Sequence, residues 1–77
     1  NIKIEGESEL LKKLSAREFD VFCLLAQGQT GKAIADELCL SYKTVANYST
    51  TIKEKLALKS VAEMTLIATR QGIIKVI

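Results

Sequence analysis

Histidine and proline are both absent from this 77-residue chain. Without histidine it lacks the side chain that most often moves protons near neutral pH and ligates zinc. Nor is there a glycine-rich phosphate loop, a nucleophile elbow or a pair of acids on one apolar face; Asp36 and Glu37 are adjacent and point in different directions on a helix. Catalysis, a cofactor and a metal site therefore lack their usual parts. With no proline, no helical pattern is interrupted by a missing N–H. Cysteine is limited to Cys23 and Cys39, which form no C-x-x-C pair and fall inside or between helical patterns. Both are expected to be buried, reduced thiols of an intracellular protein, in preference to a disulfide or metal ligands. No apolar run approaches membrane-spanning length, no signal-peptide pattern is visible, and there is no internal repeat or low-complexity tract.

What is present describes one small domain. A chain of this length is near the lower limit for folding without a staple, and its 48% hydrophobic and 26% charged residues are ordinary globular values. Net charge is only +2, but it is unevenly distributed. Residues 1–40 carry five bases and seven acids, whereas residues 41–77 carry six bases against Glu54 and Glu63. A local basic excess is what a phosphate-binding surface requires, although a solvated helix face would look similar.

Four amphipathic helical patterns follow one another between Ser15 and Gly72. Residues 1–13 precede them as a charged segment with weak alternation, read as a linker with at most a helical turn near Ser8, and its abrupt start suggests a fragment of a longer protein. Ser15 and Glu18 are spaced as a capping box, Leu14 and Phe19 as its hydrophobic staple, and Gly28 as the left-handed C-cap. Val21, Phe22 and Leu25 form the buried stripe. Thr30 caps a second helix to Leu38, with Ile34 and Leu38 toward the core and the small Ala35 where helices approach. Ser41 caps the third helix, which runs to Leu56, with Leu40 and Val45 as its staple. At 100° per residue, Val45, Ser49, Ile52 and Leu56 share one side and Lys43, Asn47, Thr50, Thr51 and Glu54 the other. Only Cys39 and Leu40 separate these two helices, the spacing of a helix-turn-helix. Short polar side chains on the outer face of the third helix allow close approach to base edges. Ser60 and Glu63 are spaced as a second capping box for the last helix, to about Gln71. Its apolar Val61, Met64, Leu66, Ile67 and Ala68 cover more of the circumference than one core contact needs, leaving surface for a partner. The expected fold is all-α, a compact four-helix bundle containing a helix-turn-helix.

The strings Leu14-Ser15-Ala16-Arg17-Glu18, Leu24-Leu25-Ala26-Gln27-Gly28, Lys32-Ala33-Ile34-Ala35, Leu40-Ser41-Tyr42-Lys43-Thr44-Val45 and Ile52-Lys53-Glu54-Lys55-Leu56 together resemble the LuxR-type helix-turn-helix family. The likeness is strongest to the C-terminal effector domains of NarL/FixJ-type two-component response regulators, and it runs from about Leu14 to Ile74, so that residues 14–77 form the domain. It implies a cytoplasmic transcription regulator that binds double-stranded DNA through its third helix, following a receiver or sensor domain. Carried over by position, Ala46, Asn47 and Thr50 meet base edges. Lys32, Lys43, Thr44, Tyr48 and Lys53 contact phosphates. Val61, Met64 and Ile67 lie in a homodimer interface on the last helix. Tyr48 stands where many members have histidine, Ala46 and Thr50 where some have lysine, and Met64 where a small alanine is usual.

The residues leave two other readings open. One is a helical protein-interaction module whose last helix binds a partner, with the basic half as solvated surface. The other is a sigma-factor-like promoter reader, which shares the helix-turn-helix spacing. From the residues alone, Arg17 and Glu18 are expected to be structural, through capping and a salt bridge, and Lys55 is expected to be a snorkelling surface residue.

Overall fold

A computed structural model describes residues 2–74, and side chains from Ser8 onward together with Gly6. Five helices and no strand are found among the described residues: α1 (Ile2–Leu11), α2 (Ala16–Ala26), α3 (Gly31–Leu38), α4 (Tyr42–Leu56) and α5 (Val61–Arg70). The all-α expectation holds, with one helix more than foreseen. The segment read as a linker is helical over Ile2–Leu11, and it packs against α4. Its sequence carries no N-cap and no apolar stripe before Leu10, so nothing local announces a helix. Leu10, Leu11 and Leu14 supply the reason by packing on the core, and Glu9 pairs with Lys12 across one turn at 3.1 Å.

The core is built from one stripe of each remaining helix. Val21, Phe22, Leu25 and Ala26 of α2 meet Ile34 and Ala35 of α3, Val45, Ile52 and Leu56 of α4, and Met64, Ile67 and Ala68 of α5. α2 packs chiefly against α5, and α3 against α4. A tie across the first pair is the Thr65 hydroxyl, which donates to the otherwise orphaned carbonyl of Ala26 at the C-terminal end of α2 (2.9 Å).

Local chemistry sets where most helices begin. Ser15 accepts from Glu18 N, and the Glu18 carboxylate accepts from Ser15 N at 2.8 Å, the reciprocal capping box. Thr30 accepts from Ala33 N and Ser41 from Thr44 N. The box foreseen at Ser60 does not form. Ser60 makes no side-chain cap bond, and Glu63 instead accepts from Lys59 N at 2.9 Å, one residue earlier than the spacing implied.

All four of the later helices end alike, with paired bonds reaching back over a residue of positive φ. At α2 that residue is Gly28 and at α5 Gly72, but at α3 it is Cys39 (φ 59°) and at α4 Ala57 (φ 57°). The bonds Leu40 N to Ala35 O and Leu58 N to Lys53 O, both 2.8 Å, hold the two non-glycine turns in place. This corrects the expectation for Cys39, which is exposed because it occupies the outward-facing turn; Cys23 is half-buried. A left-handed non-glycine residue costs about 1 to 2 kcal/mol, part of which a glycine returns as unfolded-state entropy. Ala57→Gly is therefore expected to stabilise the fold by about 0.5 to 1 kcal/mol, read as a raised thermal midpoint.

Candidate nucleic-acid interface

Helix α4 is anchored from beneath and open above. Val45, Ile52 and Leu56 are buried, Ser49 is half-buried, and Lys43, Ala46, Asn47, Thr50 and Glu54 are exposed. The residues expected at base edges thus lie on the solvent face, Asn47 and Thr50 as the helical periodicity demanded and Ala46 beside them. Their hydrogen-bonding capacities differ. The Thr50 hydroxyl donates to the Ala46 carbonyl one turn earlier (3.1 Å), so in this rotamer it presents its methyl group and its acceptor lone pairs. Asn47 is exposed with both donor and acceptor available to a partner, among the described hydrogen bonds. Ala46 offers only a methyl group, the kind of surface that meets a thymine methyl.

The residues expected at phosphates are also distributed around this helix. Lys43 is exposed in the first turn of α4, Lys32 is exposed in the first turn of α3, and Lys53 is half-buried near the C-terminal end of α4. Among the described residues the ion pairs are Glu9–Lys12 and Glu18–Lys55, so none of these three lysines is neutralised by a carboxylate. Thr44 is half-buried and its hydroxyl lies 2.8 Å from that of Ser41, with either able to donate. If Ser41 donates, the Thr44 proton is left for an outside acceptor. Tyr48 is half-buried, with its ring packed on the core.

Lys55, expected as a snorkelling surface residue, is exposed but has a specific partner, and Glu18 makes both the cap and the salt bridge expected of it. The Lys55 ammonium donates to the Glu18 carboxylate at 2.7 Å and to the Lys13 carbonyl at 3.3 Å. Glu18 is only 8% exposed, and Lys55 meets it across 37 residues of sequence. No spacing rule connects the two positions. The contact ties the C-terminal half of α4 to the capping box of α2. The Lys55 hydrogen bond, followed by the Ser15 N–H, lowers the Glu18 pKa below its usual value of 4.5. A depressed carboxyl contributes stability that is present above its unfolded pKa and is lost as pH falls through the folded one. Acid unfolding should therefore set in at higher pH for Lys55→Met than for the parent chain, as circular dichroism across about pH 6 to 3 would show.

On α5 the structure revises the interface residues. Met64 is 0% exposed and Ile67 is buried, both within the core of this one chain, while Val61 is half-buried. Met64 and Ile67 point inward because they fall on the stripe that faces α2, so their side chains are not available to a second molecule. The large apolar residue α5 does expose is Leu66, at 55%. It borders an open groove of about 650 Å³ with Gly6, Leu10, Leu58 and Arg70.

No group of His, Cys, Asp or Glu side chains suited to a metal ion occurs among the described residues, and no helix of theirs is long and apolar enough to cross a membrane. Cys23, whose thiol is pushed up by burial and by the nearby Asp20 carboxylate, is a poor nucleophile.

The family model described as bacterial regulatory proteins, luxR family, matches residues 12–68, well over half the chain. The chain is 41% identical over 71 residues to the transcriptional activator protein ExaE of Pseudomonas putida, covering 92% of this chain and 33% of that protein. It is 42% identical over 69 residues to the virulence factors putative positive transcription regulator BvgA of Bordetella pertussis, covering 90% and 33% respectively. To the response regulator GacA of Pseudomonas protegens it is 43% identical over 61 residues, covering 79% and 29%. The chain spans about a third of the length of these curated relatives.

Proposed function

The chain belongs to the luxR family of bacterial regulatory proteins, and from that premise we propose that it is the double-stranded-DNA-binding part of a transcription regulator, with α4 lying in the major groove. The observation that carries this reading is the solvent face of α4 itself. It combines a firmly packed inner stripe, short side chains outside, and flanking lysines with no carboxylate partner among the described residues. Lys32, Lys43 and Lys53, with Thr44 and Tyr48, hold the sugar-phosphate strands, and Ala46, Asn47 and Thr50 read the base edges.

The names of the relatives support the rest of the proposal. A response regulator among them supports a receiver domain elsewhere in the full protein and a role in a cytoplasmic two-component system. Two copies pair on a two-fold operator through α5, with the exposed Leu66 and the edge residue Val61 at the seam. No catalytic role is assigned to any residue.

The test is fluorescence anisotropy of a labelled random-sequence duplex titrated with the chain at low and moderate salt. Binding that weakens steeply as salt rises is the expected result, because each neutralised phosphate releases a counterion. Absence of binding at low salt and high protein concentration would refute the reading and favour a protein partner.

A further inference from the structure

Tyr42 is a large aromatic residue at the first position of α4, and it is 65% exposed. An exposed ring there contributes nothing to the core. Its position is nevertheless defined, because the ring lies flush against Gly31, the first residue of α3: a β-carbon on Gly31 would meet Tyr42 Cε1 at 2.9 Å. The glycine thus makes room for the ring, and the ring spans the first turns of both helices of the helix-turn-helix.

Beside it runs a groove of about 280 Å³ whose outer wall is Tyr42, Ala46, Ser49, Thr50 and Lys53, with Leu25 and Val45 as its floor. This wall repeats at the spacing of one helical stripe, along the edge of α4 that adjoins α3. Hydroxyls and one ammonium line the groove, and no carboxylate does. Its polar groups suit a polyanionic strand, and the stripe includes the exposed residues Ala46 and Thr50.

We propose that Tyr42 is a DNA-positioning residue: its hydroxyl donates to a phosphate of the strand that borders the major groove, with the ring braced on Gly31. The assignment rests on the DNA-binding reading above. A phenol held on a flat glycine surface loses little rotamer freedom on binding, since it is already confined. Being a phosphate contact, it strengthens binding to every sequence alike and sets how far α4 enters the groove.

Tyr42→Phe is the decisive variant, because it keeps the ring on Gly31 and removes only the hydroxyl. It should unfold at the same temperature as the parent and bind random and preferred duplexes about tenfold more weakly, by equal factors, as loss of one hydrogen bond to a charged group implies. Gly31→Ala, which displaces the ring, should lower affinity in the parent but add little in the Tyr42→Phe background. Parental affinity in the Tyr42→Phe variant, while Lys43→Ala still weakens binding, would overturn the Tyr42 assignment alone. A loss confined to one sequence would also overturn it, by making Tyr42 a base reader. If the parent binds no duplex at all, both this inference and the DNA-binding reading fall.

Discussion

Met64→Ala is expected to lower the free energy of unfolding by about 2 to 5 kcal/mol, the usual cost of emptying a fully buried large side chain. A chain of this size has in total roughly 4 to 12 kcal/mol to lose. The substitution is therefore expected to remove a large share of the stability, read as a lowered urea midpoint. The physical reason is the complete burial of Met64 at the junction of α5 with the remaining core, where the surrounding side chains cannot all collapse into the space. The contrast with a neighbour on the same helix makes the prediction specific. Leu66, more than half exposed, should tolerate replacement by serine within about 0.5 kcal/mol, as surface positions generally do. If α5 is the seam between two copies, Leu66→Ser should weaken self-association in sedimentation equilibrium while leaving urea unfolding of the monomer nearly unchanged. A reversed pattern, with Met64→Ala stable and dissociated and Leu66→Ser unfolded, would show that the helix faces the other way in solution.

The second large effect concerns DNA. Lys43→Ala is expected to weaken binding to all duplexes about tenfold at low salt, and to reduce the slope of log affinity against log salt by about one unit. Asn47→Ala should leave that slope unchanged. Its effect should appear as a loss of about 1 to 3 kcal/mol in the preference for the best site over random DNA, the range typical of good bidentate base contacts. The distinction follows from placement: Lys43 sits at the rim of the outer face of α4 and Asn47 near its centre, one turn on, both exposed. Titration of each variant on a selected site and on random DNA, at two salt concentrations, separates the two roles. Equal losses on both duplexes for Asn47→Ala would remove it from the reading surface.

Much of this architecture is legible along the chain because its determinants are local. The capping box at Ser15, the caps at Thr30 and Ser41, and the periodic stripes of α2 and α4 each depend on residues within one or two turns of each other. The outer face of α4 is legible for the same reason: a helix with one apolar stripe must present the opposite residues to solvent. Where the reading missed, a longer-range interaction or a backbone detail intervened. α1 carries no cap or stripe to announce it and packs through Leu10 and Leu11 onto a core made by residues far along the sequence. At the start of α5, the Glu63 carboxylate accepts from the N–H of Lys59 in place of that of Ser60. Two helices turn back through left-handed Cys39 and Ala57, where a glycine would have signalled the turn.

By itself, then, the chain determined its four later helices, the identity of the third of these as the exposed polar one, and its kinship with a regulator family, since all three are written in neighbouring residues and their order. Only the tertiary structure decided which side of α5 is spent on the core, that Lys55 is held by Glu18, and that Tyr42 rests on Gly31. These depend on how separate helices meet. The same apolar stripe or lysine can be satisfied by several partners, and only packing in three dimensions selects one.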